Sequence, residues 1–182
     1  MPQPLSALIQ NVANRIRATH TPVVFAESCT AGLISASLAR IPGISDYLCG
    51  SAVVYQVPTK TEWLGISPEL IQKEGVVSGS VAAAMATGVL ERTPASMLAA
   101  SVTGHLGPGA PSDQDGLIYV GIAVRKGTGA DVCIFRHILP AEMSGPPITG
   151  VATLREWRQW KAVEEVLTHL EQALEVQQKR QD

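Results

Sequence analysis

The chain predicts an α/β layered domain over residues 1–182, with a mixed β-sheet flanked by helices and a long C-terminal helix. Three observations carry that reading. Helical and strand patterns alternate through the first hundred residues. Two β-rich runs, near 117–125 and 131–138, then flank Lys126-Gly127-Thr128-Gly129, a hairpin signal that adds antiparallel pairing. Finally, Leu154, Trp157, Val163, Val166, Leu167, Leu170 and Leu174 give residues 153–178 one continuous apolar face.

In chain order, Leu5, Leu8, Ile9, Val12 and Ile16 predict an amphipathic helix over 4–18, broken by Thr21-Pro22. The run Val23-Val24-Phe25-Ala26 reads as a buried strand over 22–27, feeding directly into a helix over 30–40 that ends at Ile41-Pro42-Gly43. A second strand is expected over 49–55, then a short helix from Lys60 to Leu64 after Pro58. Ser67-Pro68-Glu69 starts the next short helix, with proline at its first position, and Gly75 closes it. Ser78 opens an Ala-rich helix to about 92, whose small residues predict close packing. Strands follow at 97–103, 117–125 and 131–138, then a Pro- and Gly-rich loop over 140–152.

Composition narrows the function. The chain is 46% hydrophobic and 16% charged, which suits a packed core and argues against disorder. A net charge of −2, scattered Lys and Arg, and few aromatic residues exclude a nucleic-acid surface. No apolar run reaches membrane-spanning length and no signal peptide is evident, so a cytoplasmic protein is expected. The three cysteines, Cys29, Cys49 and Cys133, contain no CxxC pair, which suits free thiols. No metal-ligand cluster stands out, and no cofactor is called for. The Ala-rich helix and the Trp157, Trp160 pair exceed what one small core is expected to bury, pointing to a homo-oligomer.

Chemistry concentrates where the first strand stops, at Glu27-Ser28-Cys29-Thr30. A turn from strand to helix collects free backbone N–H groups and the positive end of the helix dipole. A hydroxyl or thiol placed there is a candidate nucleophile beside an oxyanion site. Serine and threonine are also common helix caps, and the turn alone leaves both roles open. Cys29 is a rival nucleophile or a small buried residue, and Thr30 a cap or a substrate hydrogen-bond donor. The glycine-dense loop Thr103-Gly104-His105-Leu106-Gly107-Pro108-Gly109 is either an anion cradle or an ordinary surface turn.

Several pieces in order resemble the CinA C-terminal family. They are Ala26-Glu27-Ser28-Cys29-Thr30-Ala31-Gly32, Ile41-Pro42-Gly43-Ile44-Ser45, Gly50-Ser51-Ala52-Val53-Val54-Tyr55 with Lys60, Leu64-Gly65-Ile66, Glu74-Gly75-Val76-Val77-Ser78, Ala84-Met85-Ala86 and Val102-Thr103-Gly104-His105. Together they cover about 22–125. The resemblance implies a nicotinamide-nucleotide amidase that converts nicotinamide mononucleotide and water to nicotinate mononucleotide and ammonia. By that likeness Ser28 attacks, Lys60 takes the proton and Tyr55 orients or relays. Cys29, Thr30, Ala31 and Gly32 on the turn, Thr103, Gly104 and His105 on the loop, and Arg155 on the last helix fall on the substrate side. A lysine serves as a base only with a depressed pKa, and the apolar Trp63-Leu64 pair beside Lys60 predicts partial burial.

Three departures from the family pattern bear on the substrate. Ser112-Asp113-Gln114-Asp115-Gly116 stands where a Lys-Pro-containing segment is usual, losing a cation and gaining two acids. His105-Leu106 replaces Ile-Ala, and the stretch 137–152 is longer and richer in proline. Apart from these, Arg155 and Arg158 follow Thr153-Leu154 where the family has Gly-Asp, and both a substrate-side role and a solvated helix face fit them. The chain is expected to lack the nucleotide-pyrophosphatase-like domain that precedes this one in longer relatives. Two other readings fit the residues: an amidase for a different small carboxamide, and a non-catalytic binding module of the same fold.

Overall fold

A computed structural model describes residues 3–145, 148 and 150–179. The elements are α1 (Gln3–Ala18), β1 (Val23–Glu27), α2 (Leu33–Leu38), a 3₁₀ turn (Ile44–Asp46), β2 (Leu48–Val53), α3 (Val57–Leu64), α4 (Pro68–Glu74) and α5 (Gly79–Glu91). They continue as β3 (Leu98–Gly104), β4 (Leu117–Lys126), β5 (Gly129–Ile138) and α6 (Leu154–Gln178). The sheet order is β2-β1-β3-β4-β5. β1 pairs in parallel with β2 and β3, whereas β4 and β5 are antiparallel additions, so the sheet is mixed as expected.

Strand alternation sends successive side chains to opposite faces, and two cores form. Val23, Phe25, Leu98, Ala100 and Val102 face α1, α2 and α6. Val24, Ala26, Ala99 and Ala123 face α3, α4 and α5. The small residues of the second face matter because α5 lies almost on the sheet: Ser101 Oγ donates to the Ala82 carbonyl at 2.6 Å. A Cβ on Gly121 would stand 2.7 Å from that same oxygen.

Most boundaries follow local rules. Ser67 and Ser78 cap α4 and α5 as the sequence suggests, accepting from Leu70 N and Val81 N. Thr153 caps α6 in a reciprocal box with Glu156. The β4–β5 hairpin turns through Gly127-Thr128, with Lys126 opposite Gly129. Of the loop expected over 140–152, Pro146, Pro147 and Thr149 lie outside the described residues.

One helix boundary needs correction. α2 spans 33–38 rather than 30–40, because Ala31 (φ 52°) and Gly32 (φ 95°) both adopt left-handed backbone and hold the preceding turn out of the helix. Of the residues from which a homo-oligomer is expected, Trp160 is half-buried. The buried face of α5 packs on the sheet, Trp157 is buried and Trp160 packs against the first core. Among the described residues, no helix is long and apolar enough to cross a membrane.

β1 is the point where the chain changes direction across the sheet: β2 lies on one side of it and β3 on the other. In open α/β sheets such a reversal leaves a crevice outside the carboxyl ends of the strands. Ser28 follows β1 there, and its N–H donates to the Val102 carbonyl of β3 at 3.1 Å.

Candidate active site

The turn after β1 is organised by Glu27, a fully buried carboxylate at the strand's last position. Its Oε2 accepts from Thr30 Oγ1 (2.8 Å), Gly32 N (2.9 Å) and Ile34 N (3.0 Å). Its Oε1 accepts from Ser35 N and Ser51 Oγ, both at 3.0 Å. Glu27 therefore occupies the amino end of α2 and ties it to β2. The Thr30 N–H carries no hydrogen bond among the described residues, and the Cys29 N–H meets only its own thiol.

Ser28 is thereby placed on the floor of a cleft of about 250 Å³, which Cys29, Tyr55, Thr103, His105 and Arg155 also line. Ser28 Oγ lies 2.9 Å from Lys60 Nζ. Lys60 has no solvent exposure, and Nζ also donates to the carbonyls of Val54 (2.6 Å) and Tyr55 (3.2 Å). A neutral amine fits these partners: two N–H groups serve the carbonyls and the lone pair faces the hydroxyl. Burial, which strips water from the ammonium, lowers the Lys60 pKa to about 8. Trp63, expected to cover Lys60, is instead 53% exposed. The cover comes from the chain crossing between β2 and α3, whose carbonyls the lysine binds.

Cys29 sits beside this pair, yet burial pushes its thiol up to about 12, against the smaller opposing effects of its own backbone N–H and of Lys60. It stays a protonated, buried wall residue. Thr30, Ala31 and Gly32 do not line the cleft. The Thr30 hydroxyl and the Gly32 N–H face Glu27 instead, while Ala31 is exposed and its N–H donates to the Ser28 carbonyl at 3.1 Å.

Tyr55 is half exposed, and its hydroxyl accepts from Arg155 Nη2 at 2.7 Å rather than meeting Ser28 or Lys60. Arg155 Nη1 donates to the Gly107 carbonyl at 2.5 Å, so one guanidinium spans the cleft mouth from α6 to the glycine loop. Thr103 lines the wall, but its hydroxyl donates to the Val76 carbonyl. Gly104 is demanded by packing, since a Cβ would approach Ile118 Cγ2 to 2.5 Å. His105 lines the cleft with its main chain paired to Leu117 and Gly116.

Arg158 is not a solvated residue. It is 1% exposed and grips Asp115 with two 2.7 Å bonds, also donating to the carbonyls of Pro140 and Leu106. Its guanidinium holds the Asp115 carboxyl below the usual carboxylate range. This pair walls an adjoining hollow of about 790 Å³ that shares Leu106–Ala110 and Arg155 with the cleft. Sequence reasoning assigned no role to Glu27, Asp115 or Gln159, whose amide donates to the Cys29 carbonyl at 3.2 Å. An acid ending an otherwise apolar strand was the one available signal, for Glu27. The sequence also showed no metal-ligand cluster, but the fold brings His137, Glu165 and His169 together, away from this cleft.

The fold and site thus define a three-layer α/β/α domain with a buried serine–lysine pair at the carboxyl edge of its parallel strands. A family profile described as the CinA C-terminal domain matches residues 5–140, and the chain belongs to that family. It is 40% identical over 119 residues to a CinA-like protein of Solibacter usitatus, covering 64% of this chain and 28% of the relative. A CinA-like protein of Mycobacterium marinum is 44% identical over 110 residues, 60% of this chain and 26% of its own length. The matched region thus spans about a quarter of these curated relatives. Among solved structures, the competence/damage inducible protein CihA of Agrobacterium tumefaciens superposes with a TM-score of 0.76 at 28% identity, over 93% of this chain and 97% of that one. The competence damage-inducible protein A of Klebsiella pneumoniae reaches 0.79 at 21% identity, over 92% and 95%, and supports the fold alone.

Proposed function

We propose that the protein is an amidohydrolase that converts nicotinamide mononucleotide to nicotinate mononucleotide and ammonia through an acyl-Ser28 intermediate. The observation that carries this is the 2.9 Å approach of fully buried Lys60 to Ser28. A binding module gains nothing from a desolvated amine beside a hydroxyl; a nucleophile needs a base there. Neutral Lys60 takes the Ser28 proton as Oγ bonds to the carboxamide carbon. The resulting ammonium then protonates the leaving nitrogen as the C–N bond breaks. Water repeats the sequence on the ester, with Lys60 again the base, releasing the carboxylate. The N–H groups of Cys29 and Thr30, neither tied to another residue among those described, are the candidates for holding the oxyanion. Tyr55, held by Arg155 and out of contact with Ser28 and Lys60, is a positioning residue on the cleft wall.

Ammonia release from nicotinamide mononucleotide by the wild-type protein, with Ser28→Ala and Lys60→Ala in parallel, tests the reading. Activity lost by about 10²–10⁴-fold or more in both variants supports it. Equal release by all three proteins rejects it. One observation favours a second reading, an amidase for another small carboxamide. Asp115 neutralises Arg158 beside the adjoining hollow, leaving Arg155 as the cation at the cleft with no carboxylate partner among the described residues. Release from an uncharged carboxamide, with none from the mononucleotide, selects that alternative.

A further inference from the structure

β5 and α6 bring two imidazoles together. His137 lies on β5, and Glu165 and His169 lie one turn apart on α6, so all three meet where the edge strand crosses the helix. His137 Nε2 and His169 Nε2 stand 2.9 Å apart. Each ring's other nitrogen has its own oxygen acceptor. His137 Nδ1 faces Glu165 Oε2 at 3.3 Å, and His169 Nδ1 faces Gln172 Oε1 at 3.1 Å. An N–H at each Nδ1 satisfies those oxygens and leaves a lone pair on each Nε2. The two lone pairs then share one small space, which a proton bridges as an Nε2–H···Nε2 hydrogen bond and which a metal cation can take in the proton's place. A carboxylate or carbonyl oxygen behind each imidazole is how metal-binding histidines are usually oriented.

The rings are also held in place. His169 stacks on Phe135 with centroids 3.6 Å apart and planes within 9°. Both histidines and Glu165 are half-buried, so an ion has access from solvent. Donor atoms from all three residues lie within 4.8 Å of one another, which places a negative charge beside the two nitrogens.

We propose that His137 and His169, oriented by Glu165 and Gln172 respectively, form a binding site for a divalent transition-metal ion of the zinc type. Zinc–nitrogen bonds of about 2.0–2.1 Å in tetrahedral geometry put two ligand nitrogens roughly 3.3 Å apart. The pair needs to open by only a few tenths of an ångström, and water completes the coordination. Imidazole nitrogen selects zinc, nickel or copper over magnesium and calcium, which prefer oxygen. Arg155 at the cleft and His169 are separated by roughly 21 Å along α6. The ion's role is therefore structural: it ties β5, whose one strand neighbour is β4, to the helix that carries Arg155 and Arg158.

The test is calorimetric titration of metal-free, untagged full-length protein with zinc chloride, with thermal melts in parallel. One ion per chain is expected, with a rise in Tm and no response to magnesium chloride. His137→Asn and His169→Asn should each weaken binding at least about tenfold, and Glu165→Gln by about tenfold or more through loss of the outer partner. Circular dichroism confirms that each variant is folded, and Glu165→Gln keeps both imidazoles if a histidine variant is not. Absence of saturable zinc binding by the wild type overturns the proposal. So does affinity unchanged in the folded variants.

Discussion

Arg158 and Asp115, on α6 and on the loop after β3, form a two-pronged ion pair in which the cation is 1% exposed and the acid 39%. The asymmetry decides what each substitution does. Asp115→Asn strands a buried guanidinium, whereas Arg158→Met leaves a carboxylate that water can reach. Asp115→Asn is therefore expected to lower Tm more than Arg158→Met, in melts at neutral pH. The reverse order would mean that the loop, rather than the buried charge, governs the loss. The Asp115 carboxyl titrates below its ordinary range, so the pair's contribution is present at neutral pH. It is lost as pH falls through that lowered value.

In the proposed reaction, Lys60 is expected to set the pH dependence of activity. With its pKa lowered from 10.5 to about 8, roughly a tenth of the molecules hold the neutral amine at pH 7. kcat/KM should rise about tenfold per unit below that value and level off above it, as a pH–rate profile will read. Lys60→Arg should remove the activity, because a guanidinium does not deprotonate in this range. Stability follows the same group. Between about 8 and 10.5 the unfolded chain holds more protons, so stability rises with pH across that window, by roughly 3 kcal/mol if the whole shift is realised. Below 8 the cost of the buried ammonium is fully present. Urea titrations of the wild type against Lys60→Met should show the slope in the first and not in the second.

Glu27 makes the turn that carries Ser28 depend on one carboxylate. Glu27→Gln replaces an acceptor oxygen with an amide NH₂ that must face donors among Thr30, Gly32, Ile34, Ser35 and Ser51. The expected loss is about 2–4 kcal/mol in urea unfolding, with activity falling as Ser28 loses its placement. A variant with unchanged stability would show that the turn holds without the carboxylate.

Gly121 marks where α5 touches the sheet. Gly121→Ala would set a Cβ 2.7 Å from both the Ala82 carbonyl and Ser101 Oγ. Lifting the helix to admit it should cost about 1–3 kcal/mol in denaturant unfolding. Gly121, Ala82 and Ser101 do not line the cleft, so kcat/KM of the folded fraction should change little.

Local chemistry determined much of this protein from its sequence. Apolar periodicity and the caps at Ser67 and Ser78 placed the helices, and the Gly127-Thr128 turn placed the hairpin. The strand–turn break singled out Ser28, because such a break depends on neighbours in the chain. The likeness to the CinA family singled out Lys60. What only the tertiary structure decided are pairings across long stretches of chain: Asp115 with Arg158, Tyr55 with Arg155, His137 with His169. No periodicity encodes these. Arg158 reads as a solvated helix residue until the loop after β3 folds over it, and Trp63 reads as cover for Lys60 until α3 turns it outward. Burial of a charged group depends on which distant backbone removes its water. That is settled when the sheet order brings the ends of β1, β2 and β3 to one edge.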